Sequence, residues 1–230
     1  MKNIFDSRYY INNKQIKDRP AFKFYTRIAK KYICEGRILD FGCGTGYFIK
    51  HLSDYFEVDG YEISEFAAKE SQLLNPKSRI FTSIEEIEEN VYDGIVSLHV
   101  LEHISDSNLI NILKSWKKIL KKNGKIMVVM PDKSGKGFIL KKDKWVGFKD
   151  NTHINLKTGA DWENFIKDNG FDIIKVGTDG LWDLPYNEKL PLIFNYMYIF
   201  KTVFQYIWGD LILKKGSGES VIIIGTVKKY

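Results

Sequence analysis

The segment Arg37-Ile38-Leu39-Asp40-Phe41-Gly42-Cys43-Gly44-Thr45-Gly46 limits the folds open to this chain more than any other stretch. An apolar run ends on a carboxylate, glycines follow at alternate positions, and a helical pattern runs from Tyr47 to Ser53. Glycines spaced this way mark a backbone that turns tightly and lets a ligand lie against it. Asp40, just before the turn, would repel a pyrophosphate and suits a cationic ligand. A dinucleotide loop needs G-x-G-x-x-G, and Tyr47 stands where its last glycine belongs. That disfavours a nicotinamide enzyme. A phosphate loop needs G-x-x-x-x-G-K-[ST], which is absent.

The pattern that does stand here, D-x-G-x-G-x-G on a strand-to-helix junction, resembles the first motif of the class I S-adenosylmethionine-dependent methyltransferases. In that family the glycine loop passes under the methionine and ribose parts of the cofactor. Residues 57–61 read as the next strand. Glu62 stands at its end, 22 residues after Asp40, where an acidic side chain can accept both ribose hydroxyls. Its alternative role is to cap a helix starting near Ser64. The run Ile95–Leu98 reads as a buried strand, and Leu101-Glu102-His103, with Asp106 nearby, resembles the family's fourth motif. The resemblance covers about residues 25–178, with its specific motifs in 37–131. It implies S-adenosyl-L-methionine as cofactor, held by Asp40, Phe41, Gly42, Cys43, Gly44, Gly46, Glu62, Ile63, Ser83, Ile84, Leu98 and His99. It leaves the methyl acceptor open.

The rest of the chain alternates in the order such a fold requires. Pro20 opens a helix with Phe22, Tyr25, Ile28, Ala29, Tyr32 and Ile33 on one face. Strands are expected at 37–41, 56–61, 79–82, 92–98, 125–130, 171–177 and 220–228, and helices at 45–53, 64–73, 84–90 and 106–121. A further helix is capped by Thr158 and stopped by Asn169-Gly170. The expected fold is α/β: a doubly wound, mainly parallel seven-stranded sheet with helices on both faces, Rossmann-like, its last strand antiparallel. At 230 residues one methyltransferase domain over 1–230 is expected. It would carry an N-terminal helical segment 1–36, an acceptor-side cap at about 131–160 and a helical insertion at about 179–217.

Two cysteines, Cys34 and Cys43, are too few for a disulfide framework. The N-terminus lacks the apolar core of a signal peptide, so a cytoplasmic protein is expected. The net charge of +6 is spread among glutamates, and no nucleic-acid partner is expected.

The reading is methyl transfer to a small-molecule or lipid-linked acceptor, with oxygen as the expected accepting atom. If the acceptor is a hydroxyl or amine, a base must take its proton. Of the four histidines, His51 is expected at the surface. His153 lies in Asp150-Asn151-Thr152-His153, similar to a stretch that lines the acceptor pocket in many small-molecule methyltransferases, and His103 follows the fourth strand. These two are the catalytic candidates, and His153 has a loop-ordering hydrogen bond as its alternative role. No metal is assigned. The alternative is a divalent ion on His99, Glu102 and His103, whose H-x-x-E-H spacing would share one face of a helix. Another alternative is a cofactor-binding partner subunit without transferase activity.

Within the insertion, Ile193, Tyr196, Met197, Phe200, Val203, Phe204, Ile207, Trp208 and Leu211 recur at helical spacing, opposite Asn195, Lys201, Thr202, Gln205 and Asp210. The stretch is too interrupted for a comfortable membrane span. The preferred expectation is that its apolar face packs on the domain or forms a homodimer through 190–213. The alternative is a peripheral contact with the inner membrane surface.

Overall fold

A computed structural model describes residues 5–12 and 16–228. Parts of the expected segment 1–36 (residues 1–4 and 13–15) and the last two residues lie outside the described range. The chain clusters into two compact units. One holds the chain up to Leu98 and Lys114–Met127, and the other holds His99–Leu113 and the chain from Val128 on. Seven strands form one sheet in the order β3-β2-β1-β4-β5-β7-β6, as the alternation of elements implies.

In the first unit, β1 (Arg37–Phe41) pairs in parallel with β2 (Glu57–Tyr61) and with β4 (Tyr92–Leu98). The register sets Asp40 opposite Gly60 and Phe41 opposite Tyr61. At the other end of these strands, Asp59 accepts from Arg37 and from Tyr92, both at 2.7 Å, and ties the three together. Helix α1 (Ser7–Asn12) precedes α2 (Pro20–Ile33), whose inward face is Phe24, Tyr25, Ile28, Ala29 and Ile33. The glycine loop leads into α3 (Tyr47–Leu52), and Ser64 caps α4 (Glu65–Leu74) by accepting from Ala67 N. β3 is short (Ile80–Phe81). The helix expected at 84–90 is a single 3-10 turn, Ile84–Glu86, because only Ile87 offers a buried anchor there.

Helix α5 (Asp106–Ile119) leads into β5 (Leu120–Pro131). The strand therefore starts before the Asn123-Gly124 turn signal, where Asn123 takes the left-handed conformation at φ 67°.

In the second unit, α6 (Lys136–Lys141) and two 3-10 turns carry the chain to α7 (Gly159–Asp168), which Thr158 caps as expected. β6 (Phe171–Thr178) pairs antiparallel with β7 (Ser220–Val227), with an irregularity between Ile173 and Lys175. Buried Glu219 pins this region, accepting 2.7 Å from Trp145 Nε1 and also from the Tyr186 hydroxyl.

Helix α8 (Leu192–Trp208) forms where the apolar spacing predicts a helix, but its orientation is reversed. The buried residues are Asn195, Thr202 and Gln205, and the apolar side chains face outward. The expectation that the stripe packs on the domain is corrected. The loops around the helix present backbone donors and acceptors, and only the polar side chains can satisfy them.

Candidate functional site

The residues expected to hold the cofactor, Asp40 to Gly46 and Glu62, lie in the first unit. Gly42, Gly44 and Gly46 take positive φ of 78°, 53° and 82°, a backbone that L-residues adopt only at a cost. Gly42 N and Cys43 N both donate to Tyr61 O, at 2.7 and 3.0 Å, folding the loop over the end of β2. A side chain at Gly46 would strike Ser71 and Asn75. One at Gly44 would find only the Tyr10 ring, 3.7 Å away. Gly46 is therefore demanded by packing, whereas Gly44 keeps a space clear beside the loop.

Glu62 Oε2 accepts from Gly44 N and Oε1 from Ser64 N, each at 2.9 Å. It thus holds the glycine loop and also the start of α4, the second of which is the capping role given above as its alternative. The Tyr10 hydroxyl also bonds this carboxylate. Burial pushes the Glu62 carboxyl above its ordinary value, against the N–H groups that lower it. Asp40 is 2% exposed, its Oδ2 has no hydrogen-bond partner, and burial beside Glu62 holds its carboxyl well above the ordinary value. Two buried acids with an oxygen left unpaired suit a ligand bearing positive charge and hydroxyls. The residues fit S-adenosylmethionine.

Cys43 is buried with its sulfur 3.7 Å from Ser71 Oγ, and burial pushes its thiol up, so it has the character of a packed small residue. Ile63, Ser83, Ile84 and Leu98 are half-buried around the strand ends, and Ser83 bonds Glu85. Tyr10 was not foreseen. The signal for it in the sequence was the tyrosine pair Tyr9-Tyr10 beside Ile11.

The histidine cluster lies in the second unit. His99 follows β4 with φ 55° and donates its N–H to Val129 O at 2.8 Å. Leu101–His103 is one 3-10 turn, so the helical face expected for H-x-x-E-H does not form. Asn155 binds segment 150–155 to this turn, its N–H donating to Glu102 O at 2.9 Å and its amide to Ile104 O at 2.8 Å. His153 thereby joins His103, with ring centroids 4.7 Å apart.

Ligand atoms of Glu102, His103 and His153 all lie within 4.8 Å of one another. His99 is the outlying member, with Nδ1 3.4 Å from Glu102 Oε1 and its side chain 39% exposed.

The hydrogen bonds assign the tautomers. The Thr152 hydroxyl donates to Asp150, so it accepts the proton of His103 Nδ1, 2.8 Å away. His153 Nδ1 lies 2.6 Å from the Gly147 carbonyl, which can only accept. Both rings therefore carry their basic lone pair on Nε2. His153 Nε2 is 3.9 Å from Glu102 Oε1.

Glu102 is completely buried and neither oxygen has a hydrogen-bond partner. Burial alone would push this carboxyl up, but His99, with His103 and His153, holds it below its ordinary value. Burial holds His103 below the ordinary imidazole value despite Glu102. His51 plays no part in the cluster; it is partly covered and bonds Asp18 at 2.7 Å.

A family model described as a methyltransferase domain matches residues 13–176. The chain belongs to this family. It is an S-adenosylmethionine-dependent methyltransferase.

The fold is shared with a SAM-dependent methyltransferase from Archaeoglobus fulgidus (18% identity, 96% of this chain and 100% of that one, TM-score 0.66). It is also shared with a possible histamine N-methyltransferase from Thermotoga maritima (20% identity, 99% and 100%, TM-score 0.60). A third likeness is to the plantazolicin methyltransferase BpumL, seen with a triazolic desmethylPZN analog and SAH (16% identity, 96% and 91%, TM-score 0.64). No curated protein matches the methyltransferase in sequence.

Proposed function

We infer that the methyltransferase transfers its methyl group to a hydroxyl of a small-molecule or lipid-linked acceptor, and that His103 and His153 manage the acceptor's proton. The observation that carries this reading is the pair of histidines around buried Glu102, each with its tautomer set through Nδ1. When bound, S-adenosylmethionine supplies an electrophilic methyl on a sulfonium. Asp40, Gly44 and Glu62 would hold it. A hydroxyl attacks poorly until its proton is removed, and an imidazole with its basic lone pair on Nε2 is the side chain suited to remove it. The Nδ1–H of His103, bonded to Thr152 and through it to Asp150, would steady the imidazolium that results.

The test is methyl transfer from labelled cofactor to a panel of hydroxylated acceptors. His153→Ala and His103→Ala should each lower kcat by roughly 10²-fold or more, with the affinity for S-adenosylhomocysteine unchanged. Parent-like turnover in both variants would remove the histidines from the reaction.

A second reading rests on one observation. The carboxylate and two imidazoles converge within 4.8 Å, and each Nδ1 is tied to an oxygen, the support usual for metal-binding histidines. In this reading Glu102, His103 and His153 hold a divalent ion that orients the acceptor. Chelation would then abolish turnover and the ion would restore it. Under the first reading chelation changes nothing.

A further inference from the structure

Helix α8 turns a polar face to the protein, and that face is fully engaged. Asn195 Oδ1 accepts from Tyr186 N and Asn187 N, each at 2.8 Å, and its Nδ2 donates to Asn187 O at 2.9 Å. Thr202 Oγ1 accepts from Leu181 N at 2.9 Å. Gln205 donates to Thr178 O at 2.9 Å and accepts from Ile212 N and Leu213 N at 2.9 and 2.8 Å. These three buried side chains satisfy backbone groups of the flanking loops, so the helix is seated by design and its outer face is not a misplaced core.

That outer face is apolar and open. Ile193, Met197, Phe200, Ile207 and Trp208 are each at least 70% exposed. At 100° per residue, Leu192, Val203, Tyr196, Ile207, Phe200, Ile193, Phe204, Met197 and Trp208 follow one another around nearly half the helix circumference. Lys201 closes one edge of that arc. At about 150–250 Å² per aromatic side chain, the five exposed rings among these and Phe194 offer roughly 600 Å². That alone reaches the upper end of the largest patch on a typical monomer, about 300–600 Å².

We propose that α8 is an interfacial helix that lies in the surface of an anionic bilayer, with its apolar half-cylinder among the acyl chains. Shape and charge select this occupant. A second protein helix covers a stripe of about 100°, which would leave much of this arc wet, whereas a fluid bilayer conforms to all of it. No acidic residue occurs from Lys189 to Trp208. Lys189 stands ahead of the helix, Lys201 at the arc's edge and Lys214 in the segment that follows it, all three exposed and able to meet headgroup phosphates, while Lys215 is paired with Glu163. The helix cannot cross: it has 17 residues, and no helix among the described residues is long and apolar enough to span a membrane.

The proposal is independent of the acceptor assigned above. The test is co-sedimentation of the full chain with vesicles of phosphatidylglycerol and phosphatidylcholine (3:7), and with phosphatidylcholine alone. Binding is expected to the anionic vesicles, weakening with salt. Ile193→Asp with Phe200→Asp should reduce it at least 10-fold. Both side chains are exposed, so melting temperature and S-adenosylhomocysteine affinity should stay at parent values. Lys189→Glu with Lys214→Glu should weaken binding with the apolar face intact. Failure to bind anionic vesicles overturns the proposal. So does a concentration-dependent dimer that the Asp pair dissociates, because a second copy would then cover the face.

Discussion

Gly44 and Gly46 are two residues apart, share a left-handed backbone, and should fail in different ways when each is changed to alanine. For both, an L-residue at φ 53° or 82° costs about 1–2 kcal/mol, partly offset by about 0.4–1 kcal/mol from the stiffer unfolded chain. At Gly44 little else follows, because the new methyl would have only Tyr10 Cε1 within reach, at 3.7 Å. The net loss is about 1 kcal/mol, or roughly 2–4 °C for a chain of this size. At Gly46 the methyl would sit 2.4 Å from Ser71 Oγ, 2.5 Å from Asn75 Nδ2 and 2.9 Å from Ser71 Cα. Ser71 Cα belongs to the backbone of α4 and cannot swing aside. Asn75 would also give up its bonds to Gly46 O and Ser71 O, both 3.0 Å. Overpacking of about 1–3 kcal/mol and roughly 1 kcal/mol per lost bond, added to the backbone cost, bring the expected loss to about 5 kcal/mol, or some 10–20 °C.

Calorimetric melting of the ligand-free variants reads stability, and titration with S-adenosylhomocysteine reads the site. Gly44→Ala should melt near the parent and bind at least 10-fold more weakly, because its methyl enters the space left clear for the ligand. Gly46→Ala should lose stability first. A Gly46→Ala protein melting within 2 °C of the parent, or a Gly44→Ala protein less stable than Gly46→Ala, would refute the assignment of one glycine to packing and the other to binding.

Cofactor affinity should depend on acid. Burial holds Glu62 and Asp40 above their ordinary values in the free protein, and a cationic ligand favours their ionised forms. Affinity should therefore fall as pH drops through those raised values and level off above them. The folded chain binds more protons than the unfolded one in the same window, so ligand-free stability should move oppositely, declining as pH rises from the ordinary carboxylate range through the raised values. Titration calorimetry and melting across pH 4–8 would check both signs, and parallel slopes would contradict the argument. Tyr10→Phe removes a bond that lowers the Glu62 value, so the midpoint of that affinity profile should move up; a downward shift would exclude the contact. Glu219→Ala strands the buried donors of Trp145 and Tyr186. It should cost about 3 kcal/mol, read as a fall of roughly 6–12 °C in Tm with cofactor affinity unchanged.

The glycine-loop half of the candidate site was legible because its information is local. Asp40, the glycines and Glu62 sit on consecutive strand ends, and the backbone those glycines require is written into the segment itself. The seven strands followed from the same alternation, with boundaries moved by a few residues at β3 and β5. The histidine cluster was only half legible. Spacing suggested that His99, Glu102 and His103 share a helical face, but the segment closes as a single 3-10 turn and leaves His99 at the margin. The third member, His153, arrives from a loop 50 positions beyond His103, held by the Asn155 bonds to Glu102 and Ile104. No local pattern encodes that contact.

Helix α8 shows a different limit. Periodicity establishes that an apolar stripe exists, and says nothing of which way it points. The usual inference turns the stripe inward because burying apolar surface stabilises most cores more than pairing polar groups does. Here Tyr186 N, Asn187 N, Leu181 N, Ile212 N, Leu213 N and Thr178 O all need partners, and Asn195, Thr202 and Gln205 supply them. Turning the stripe inward would leave six backbone groups unpaired at about 1–3 kcal/mol each, enough to offset the burial of several side chains at about 1.5–3 kcal/mol each. The polar face therefore wins the contact with the protein, and the apolar face is left for whatever surface the chain meets outside it. Thr202→Val tests that balance. It keeps the volume and removes the acceptor of Leu181 N–H, so it should loosen the seat of α8 and increase amide exchange at Leu181 while leaving exchange in β6 and β7 at parent rates. Unchanged protection at Leu181 would mean that packing, not these hydrogen bonds, orients the helix.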